Sequence, residues 1–422
     1  MSFLFRGFAV FAAAVIFTLG LSADSFATNG YFAHGYSPQN KALAGAGTAL
    51  PLDSLAAATN PAGMVFVGKR ADAGISFFNP NRSYTTGGTA FNTATTGKVK
   101  SDAEWFVIPA LGFNWMMSKD YSLGVSIYGN GGMNTEYNAT TFGVSGTGVD
   151  LSQLFIVPTY SRKLNAKHAV GISPIIAYQR FEAYGLAGFA PFTASGTAAK
   201  LTNVGYDDSL GFGARIGYMG EIAPGLVIGV SYQTRIWMDE LDKYSELFAE
   251  QGDFDIPDNW SVGLAYNATD ALTLVFDVQH IYYGSVDAIA NPLMPNLTAG
   301  ALGSNGGAGF GWDDMTIFKF GVQYVSSPDY TWRAGYSYGE QPIGSTEVLF
   351  NILAPAVIEQ HITAGVTRKI SDTQDLHISV MHALENDVSG TNSFASAFGV
   401  TETVNLEMNQ WEVTAGYSWK FQ

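Results

Sequence analysis

The chain has 422 residues and a formal net charge of −15; it is 47% apolar and 14% aromatic but only 14% charged, with 48 glycines and no cysteine. The acidic balance excludes a nucleic-acid partner, which wants a basic stripe, and the absence of cysteine excludes disulfides, thiolate catalysis and cysteine metal sites. Beyond the N-terminus no apolar run reaches the ~20 residues a spanning helix needs, so apolar and polar residues are interleaved, as in a barrel whose strands face lipid and lumen by turns.

The chain opens on a secretory signal over residues 1–27. Arg6 is its one n-region charge, Phe8 to Leu21 is apolar but too short for a membrane helix, and Ser25-Phe26-Ala27 places small residues where a signal peptidase reads, so cleavage is expected before Thr28. Its removal takes away Arg6 and Asp24, one charge of each sign, and leaves the balance at −15. Residues 28–62 do not alternate. Ala42, Ala44, Gly45, Ala46 and Gly47 suit a compact element in a tight space. Asp53-Ser54 offers an N-cap for a helix from Leu55 to Ala58, and Asn60, ahead of Pro61, is biased away from helix, so the helix should stop there. About 35 residues are too few for an independent core. The segment is expected inside the barrel as a plug, with a short periplasmic tail as the alternative.

From Gly63 onward the pattern has period two. Trp411, Val413, Ala415, Tyr417, Trp419 and Phe421 share one face, and Glu412, Thr414, Gly416, Ser418 and Lys420 the other. Aromatic ends around an aliphatic middle are the girdles of a membrane barrel. The same split recurs over 226–235, 260–267 and 318–324. About fourteen such segments lie at 63–79, 103–117, 121–133, 152–164, 167–184, 208–221, 225–237, 258–267, 270–284, 314–326, 329–340, 358–370, 374–386 and 409–421. Their connections alternate between short (118–120, 165–166, 222–224, 268–269, 327–328, 371–373) and long (80–102, 134–151, 185–207, 238–257, 285–313, 341–357, 387–408). Tight periplasmic turns and long outer loops are the habit of outer-membrane barrels. The reading is an all-β transmembrane antiparallel barrel over 63–422 in the bacterial outer membrane, both ends on the periplasmic side. In the long loops, Leu241, Tyr244, Leu247 and Phe248 fall at helical spacing and predict an amphipathic helix at the outer rim. Residues 285–313 are rich in Gly, Ala, Leu and Pro. Both loops fit either self-packing or an apolar surface that captures a ligand.

The residues resemble the FadL/TodX family of outer-membrane channels for long-chain fatty acids and aromatic hydrocarbons over essentially the whole mature chain. The resemblance rests on Ala44-Gly45-Ala46-Gly47, Asp53 and Asn60-Pro61-Ala62-Gly63, then on Pro257 with Trp260, Lys319 to Tyr324, and Trp332 to Tyr338 followed by Pro342. It implies a hatch that blocks the lumen, with Asn60, Pro61 and Ala62 at its gating turn. It also implies ligand capture at outer loops and a sideways exit beside a kinked third strand, without cofactor or energy source. That strand is Tyr121 to Met133 here, and Gly129, Asn130, Gly131 and Gly132 are the candidates for the lateral opening, since glycine marks weak pairing or a bulge. The chain departs from the family where many members carry an acidic pair and an arginine just after a proline: Ala356, Ile358 and Glu359 follow Pro355. Phe421 is followed by Gln422, whereas such barrels often end on an aromatic residue.

No enzyme is expected. His377 and His382 lie on opposite faces of one strand and make no metal site, and no nucleophile elbow is present. Arg215, Arg235, Lys319 and Arg333 sit on the polar parity, as headgroup contacts or as salt-bridge partners of barrel acids. The expected function is passive uptake of a hydrophobic small molecule, fatty acid or hydrocarbon; the alternative is a general aqueous porin. The expected surroundings are outer-membrane lipid, lipopolysaccharide and the barrel-assembly machinery, the protein acting as a monomer.

Overall fold

The computed structural model describes residues 28–88 and 97–421; the signal segment 1–27 lies outside the described residues. Sixteen strands form one sheet, two of them short side pieces at Gly97–Lys100 and Trp237–Met238. The other fourteen are β1 (Arg70–Gly88), β2 (Phe106–Met116), β3 (Tyr121–Thr141), β4 (Val144–Lys163), β5 (His168–Tyr184), β6 (Asp207–Ala223), β7 (Leu226–Gln233), β8 (Asn259–Asn267), β9 (Leu272–Ile281), β10 (Met315–Ser327), β11 (Tyr330–Gly339), β12 (Gln360–Ser371), β13 (Gln374–Thr391) and β14 (Glu402–Lys420). Each pairs antiparallel with the next, and β14 pairs with β1 from Arg70↔Lys420 to Gly88↔Glu402, which closes the ring. Closure removes sheet edges, the condition for placing strands in lipid.

Side-chain alternation separates two environments. In β14, Trp411, Val413 and Trp419 are 51%, 47% and 40% exposed, while Glu412 and Ser418 are 2% and 0%. Phe318, Phe320, Val322 and Tyr324 of β10 likewise point out and Lys319 points in. A continuous outward belt of Trp, Phe, Tyr, Leu and Ile is incompatible with water and matches hydrocarbon. No helix among the described residues is long and apolar enough to cross a membrane, so strands do the crossing.

Several strand limits differ from the sequence expectation. β1 begins at Arg70 rather than Gly63, because Pro61–Phe66 is a 3-10 helix, buried from Pro61 to Val65; residues 63–69 therefore precede the barrel wall. β7 ends at Gln233 rather than near residue 237. At the outer end β1, β3, β4, β13 and β14 reach 18 to 21 residues, against the ~9–11 that span a bilayer. Their upper halves stand above the hydrocarbon, where no lipid face imposes an alternation. The expected loop 134–151 is thus a β-ribbon, turned at Phe142 (φ 50°) and Gly143 (φ 82°), the paired positive φ values of a two-residue hairpin turn.

Residues of the N-terminal segment bond to lumen-facing side chains of strands all around the ring. Lys41 Nζ donates to Ser76 Oγ of β1 at 2.7 Å and pairs with Glu412 of β14. Gly47 and Thr48 N–H donate to Asp277 of β9 at 2.8 and 2.9 Å. Thr363 of β12 takes Ala44 N–H at 3.0 Å and donates to Ala42 O at 2.9 Å. Asn114 of β2 and Ser161 of β4 donate to Met64 O and Ala62 O. Glycines on the lumen face give the segment its room. A Cβ at Gly229 of β7 would stand 1.9 Å from Thr48 O, and one at Gly131 of β3 would stand 2.2 Å from Tyr31 O.

Candidate functional site

The turn at Asn60 is a joint between two short 3-10 helices, Ala56–Ala58 and Pro61–Phe66. The expected cap at Asp53-Ser54 is replaced by a tighter turn in which Asp53 Oδ1 accepts Leu55 N–H at 2.9 Å and Leu55 is the N-cap. Asn60 is extended (φ −148°, ψ 110°), as the following proline demands. Its Nδ2 donates to Thr48 O at 2.8 Å and Tyr218 O of β6 at 3.0 Å, and its Oδ1 accepts Ala62 N–H at 3.0 Å. One buried amide thus ties two stretches of the segment to each other and to the wall. Pro61 opens the second helix rather than ending the first.

The four cations of the polar parity are all engaged. Arg215 Nη1 donates to Ala57 O at 3.1 Å, to Ala58 O and to Tyr128 Oη at 3.3 Å, and its Nη2 to Gln233 Oε1 at 2.5 Å, so it holds the segment's carbonyls. Lys319 donates to Gln279 Oε1 at 2.8 Å. Arg333 donates to Gln323 and Thr367 at 2.8 and 2.6 Å. Arg235 lies beyond the end of β7, half-buried at the outer rim, 3.6 Å from Asp255 Oδ2 and bonded to Ser285 O. The structure does not gather the four into one site.

The wall is interrupted beside the glycines of β3. The β2–β3 ladder ends at Ala110↔Tyr128. Above it, Phe106 to Pro109 of β2 pair only with β1, and Gly129 to Gly132 pair only with β4, through a bulge at Asn130. The freed edge of β3 is taken up from inside by the N-terminal segment. Ala33 N–H donates to Asn130 O at 2.9 Å and Gly132 N–H to Tyr31 O at 3.0 Å, and Phe32 forms a bridge with Gly131. A second interruption lies between β4 and β5, where pairing skips from Ile156↔Ile176 to Tyr160↔Ile172. The register sets Pro158 against Pro174 there, two residues without an N–H. Thr159 Oγ1 and Ser173 Oγ, 2.8 Å apart, bridge that seam on the lumen side.

Two small apolar voids lie next to each other in the outer half of the barrel. The upper one, about 20 Å³, is enclosed by residues including Phe181, Phe189, Leu247, Phe248, Phe310 and Phe350. The lower one, also about 20 Å³, shares Val149, Phe181, Phe248 and Phe310 and reaches Tyr31, Met133 and Trp312. No charged residue lines either void. The lower void therefore stops at Tyr31 and Met133, against the freed edge of β3. A third space of about 240 Å³ lies at the periplasmic end among Leu50, Pro51, Phe66, Met219 and Val227.

Leu241, Tyr244, Leu247 and Phe248 do not form the expected amphipathic helix. Only Asp242–Tyr244 makes a 3-10 turn, and Glu250 and Gln251 take positive φ. All four apolar residues are buried; Leu247 and Phe248 face the cavity, and Tyr244 Oη accepts Ala183 N–H at 3.0 Å and donates to Gly205 O at 2.9 Å. Ile289, Leu293, Leu297 and Leu302 of the other apolar loop are buried too. Both loops bury their apolar side chains within the outer rim. Sequence reasoning missed Tyr31, Phe181 and Trp312 of the cavity wall, and the facing prolines. An adjacent aromatic pair, Tyr31-Phe32, in a segment otherwise made of small residues was the available signal for the first.

The family model described as "Outer membrane protein transport protein (OMPP1/FadL/TodX)" matches residues 18–421. A search of curated proteins gives no match. Among solved structures, the chain is similar to a Pseudomonas aeruginosa FadL homologue (TM-score 0.71, 14% identity, 93% of this chain and 100% of that one). It is similar as well to the P. putida toluene transporter TodX (TM-score 0.65, 17% identity, 92% and 99%). The Ralstonia pickettii toluene transporter TbuX follows (TM-score 0.64, 16% identity, 92% and 99%). At these identities the likeness to the three structures speaks for the fold.

Proposed function

The chain belongs to the OMPP1/FadL/TodX family of outer membrane transport proteins, and on that premise we propose that it takes up hydrophobic small molecules passively and releases them sideways into the membrane. Long-chain fatty acids and hydrocarbons are the substrate classes; the names of two similar structures, toluene transporters, support the second. The observation that carries the reading is the apolar lining that continues from the outer loops down to Tyr31, around two small neighbouring voids, beside the edge of β3 that β2 leaves unpaired. A ligand gains about 0.8 kcal/mol per CH₂ buried, so release from such a lining into water would be slow, whereas release into lipid passes between two apolar media. Residues 28–69 act as the hatch, with Asn60, Pro61 and Ala62 as its joint, and Gly129 to Gly132 form the opening. Leu247 and Phe248 meet the ligand from inside the loops rather than as an outer landing surface.

The protein does no chemistry on what it moves and needs no cofactor. It works as a monomer among phospholipid and lipopolysaccharide, placed there by the barrel-assembly machinery. A general aqueous porin does not fit a ring filled by its own N-terminal segment. Reconstitution into vesicles separates the two: the uptake reading predicts no swelling in small sugars and accelerated transfer of a hydrocarbon or fatty acid. Sugar-driven swelling without that transfer would establish the porin.

A further inference from the structure

Arg82 is a buried lumen-facing cation that neither the hatch nor the wall neutralises. It lies on β1, 2% exposed. Its Nη1 is held by Ala103 O at 3.3 Å and by Asn134 O of β3, so the side chain crosses above the place where β2 leaves β3. Among the described residues its Nε and Nη2 have no partner. Those two nitrogens form one edge of the guanidinium, the fork that takes both oxygens of a carboxylate. The same strand shows the fork filled: Arg70 Nε and Nη2 donate to Asp72 Oδ2 and Oδ1 at 2.8 and 2.6 Å. Asp150 is an acid whose charge reaches Arg82, but it stands on the outward parity of β4 and its oxygens are taken by Tyr206 and Ser152. A buried arginine with an empty fork is costly to keep, and an unsatisfied buried group asks for a reason.

The surroundings supply one. The Phe106 ring lies 5.6 Å from the guanidinium. Asn134, which holds Nη1, follows Met133, and Met133 lines the lower apolar cavity with Tyr31 and Leu151. Headgroup fork and tail cavity are thus adjacent at the wall gap. We propose that Arg82 is the anion-binding residue of the exit gap, taking the carboxylate of a single-headed amphiphile whose tail enters between Tyr31 and Met133 and widens the small apolar void there. The proposal rests on the uptake reading and adds to it the residue that tells a carboxylate ligand from a hydrocarbon. It also assigns the four other lumen and rim cations, Arg215, Arg235, Lys319 and Arg333, to holding the structure.

The test is binding of dodecanoate, dodecanol and dodecane to the purified full-length barrel, read by tryptophan fluorescence, for the unaltered protein, Arg82→Gln and Arg82→Lys. Heat-modifiable migration checks that each variant is folded. Arg82→Gln is expected to weaken dodecanoate roughly tenfold, the usual scale for a lost charge-assisted pair, and to leave dodecanol and dodecane unchanged. Arg82→Lys, which keeps the charge but not the fork, should recover part of the loss. Equal weakening of all three ligands by Arg82→Gln would make Arg82 a staple of the gap and overturn the proposal; so would no effect on dodecanoate. If the unaltered protein binds none of the three, the uptake reading falls and this proposal with it.

Discussion

The two interruptions of the wall are alike in size and opposite in cause. Between β4 and β5 the ladder fails because Pro158 faces Pro174 and neither has a donor; the repair is a hydroxyl pair, Thr159 with Ser173, within the wall itself. Between β2 and β3 most residues keep their donors, yet pairing stops at Ala110↔Tyr128 because β3 bulges at Asn130 and turns inward. There the repair comes from another part of the chain, the stretch Tyr31 to Ala33, through the two backbone hydrogen bonds of the Phe32–Gly131 bridge. A break mended from within the wall stays mended. A break mended by the plug opens when the plug moves, and exposed backbone in lipid is tolerated only while something satisfies it. On the proposed lateral route the exit is therefore β2–β3, and the proline seam is structural.

The largest effect is expected at Gly131. Its inner face touches Tyr31 O, so Gly131→Trp fills the gap. Hydrophobic uptake should fall roughly tenfold or more, equivalent to about 1.4 kcal/mol or more on the exit step, while ligand binding and heat-modifiable migration persist. A similar bulky change at Gly132 should act in the same direction. Asn60→Ala comes next. It removes three buried hydrogen bonds, each worth about 1 kcal/mol, and loosens the plug without touching the ladder. Uptake should fall several-fold with the barrel intact; normal uptake would deny the joint a gating role.

These tests use residues that differ in how readily the sequence discloses them. The barrel was legible because lipid writes the same period-two pattern on every strand: Trp411 to Phe421 read correctly residue by residue. The pattern fails where lipid ends, so the ribbon 134–151 read as a loop although it is paired, but for a bulge at 138–139, up to its tip at Phe142-Gly143. Residues 63–66 of the 3-10 helix read as the start of a strand because Gly63-Met64-Val65-Phe66 is a short apolar run, which does not tell helix from strand. Asn60-Pro61-Ala62 could be singled out by resemblance, but the bonds from Asn60 to Thr48 and Tyr218 join residues far apart in sequence and no local pattern encodes them. The lumen cations were placed on the correct face for Arg215, Lys319 and Arg333; what occupies them is decided by the plug and by neighbouring strands. Arg82 escaped notice because it lay in a stretch read as loop.

The smaller effects sharpen the contrast. Pro158→Val with Pro174→Val restores two backbone donors and should stabilise the barrel by about 0.5–1.5 kcal/mol per bond made, with uptake changed by no more than about twofold. A loss of uptake as large as that of Gly131→Trp would make the seam a second exit. The smallest effect is on pH. Burial, and then the charge of Asp72, raise the Asp53 carboxyl from 3.8 to about 6. The docked plug therefore binds the proton more tightly than the free segment does. Docking is strongest below pH 4 and weakens as pH rises through about 6. Asp53→Asn should flatten that dependence in hydrogen-exchange protection of the plug; an unchanged slope would assign it to another group.

The route itself is best tested by a photoreactive hydrocarbon probe loaded onto the reconstituted barrel and activated during transfer, with labelled residues identified by mass spectrometry. The lateral account predicts label on Tyr31, Phe32, Met133, Phe106 and Ile108 and on neighbouring lipid, lost beyond Tyr31 in Gly131→Trp. Label on Leu50, Pro51, Phe66 and Met219 around the periplasmic cavity, with Phe106 and Ile108 unmarked, would show that the ligand leaves through the base.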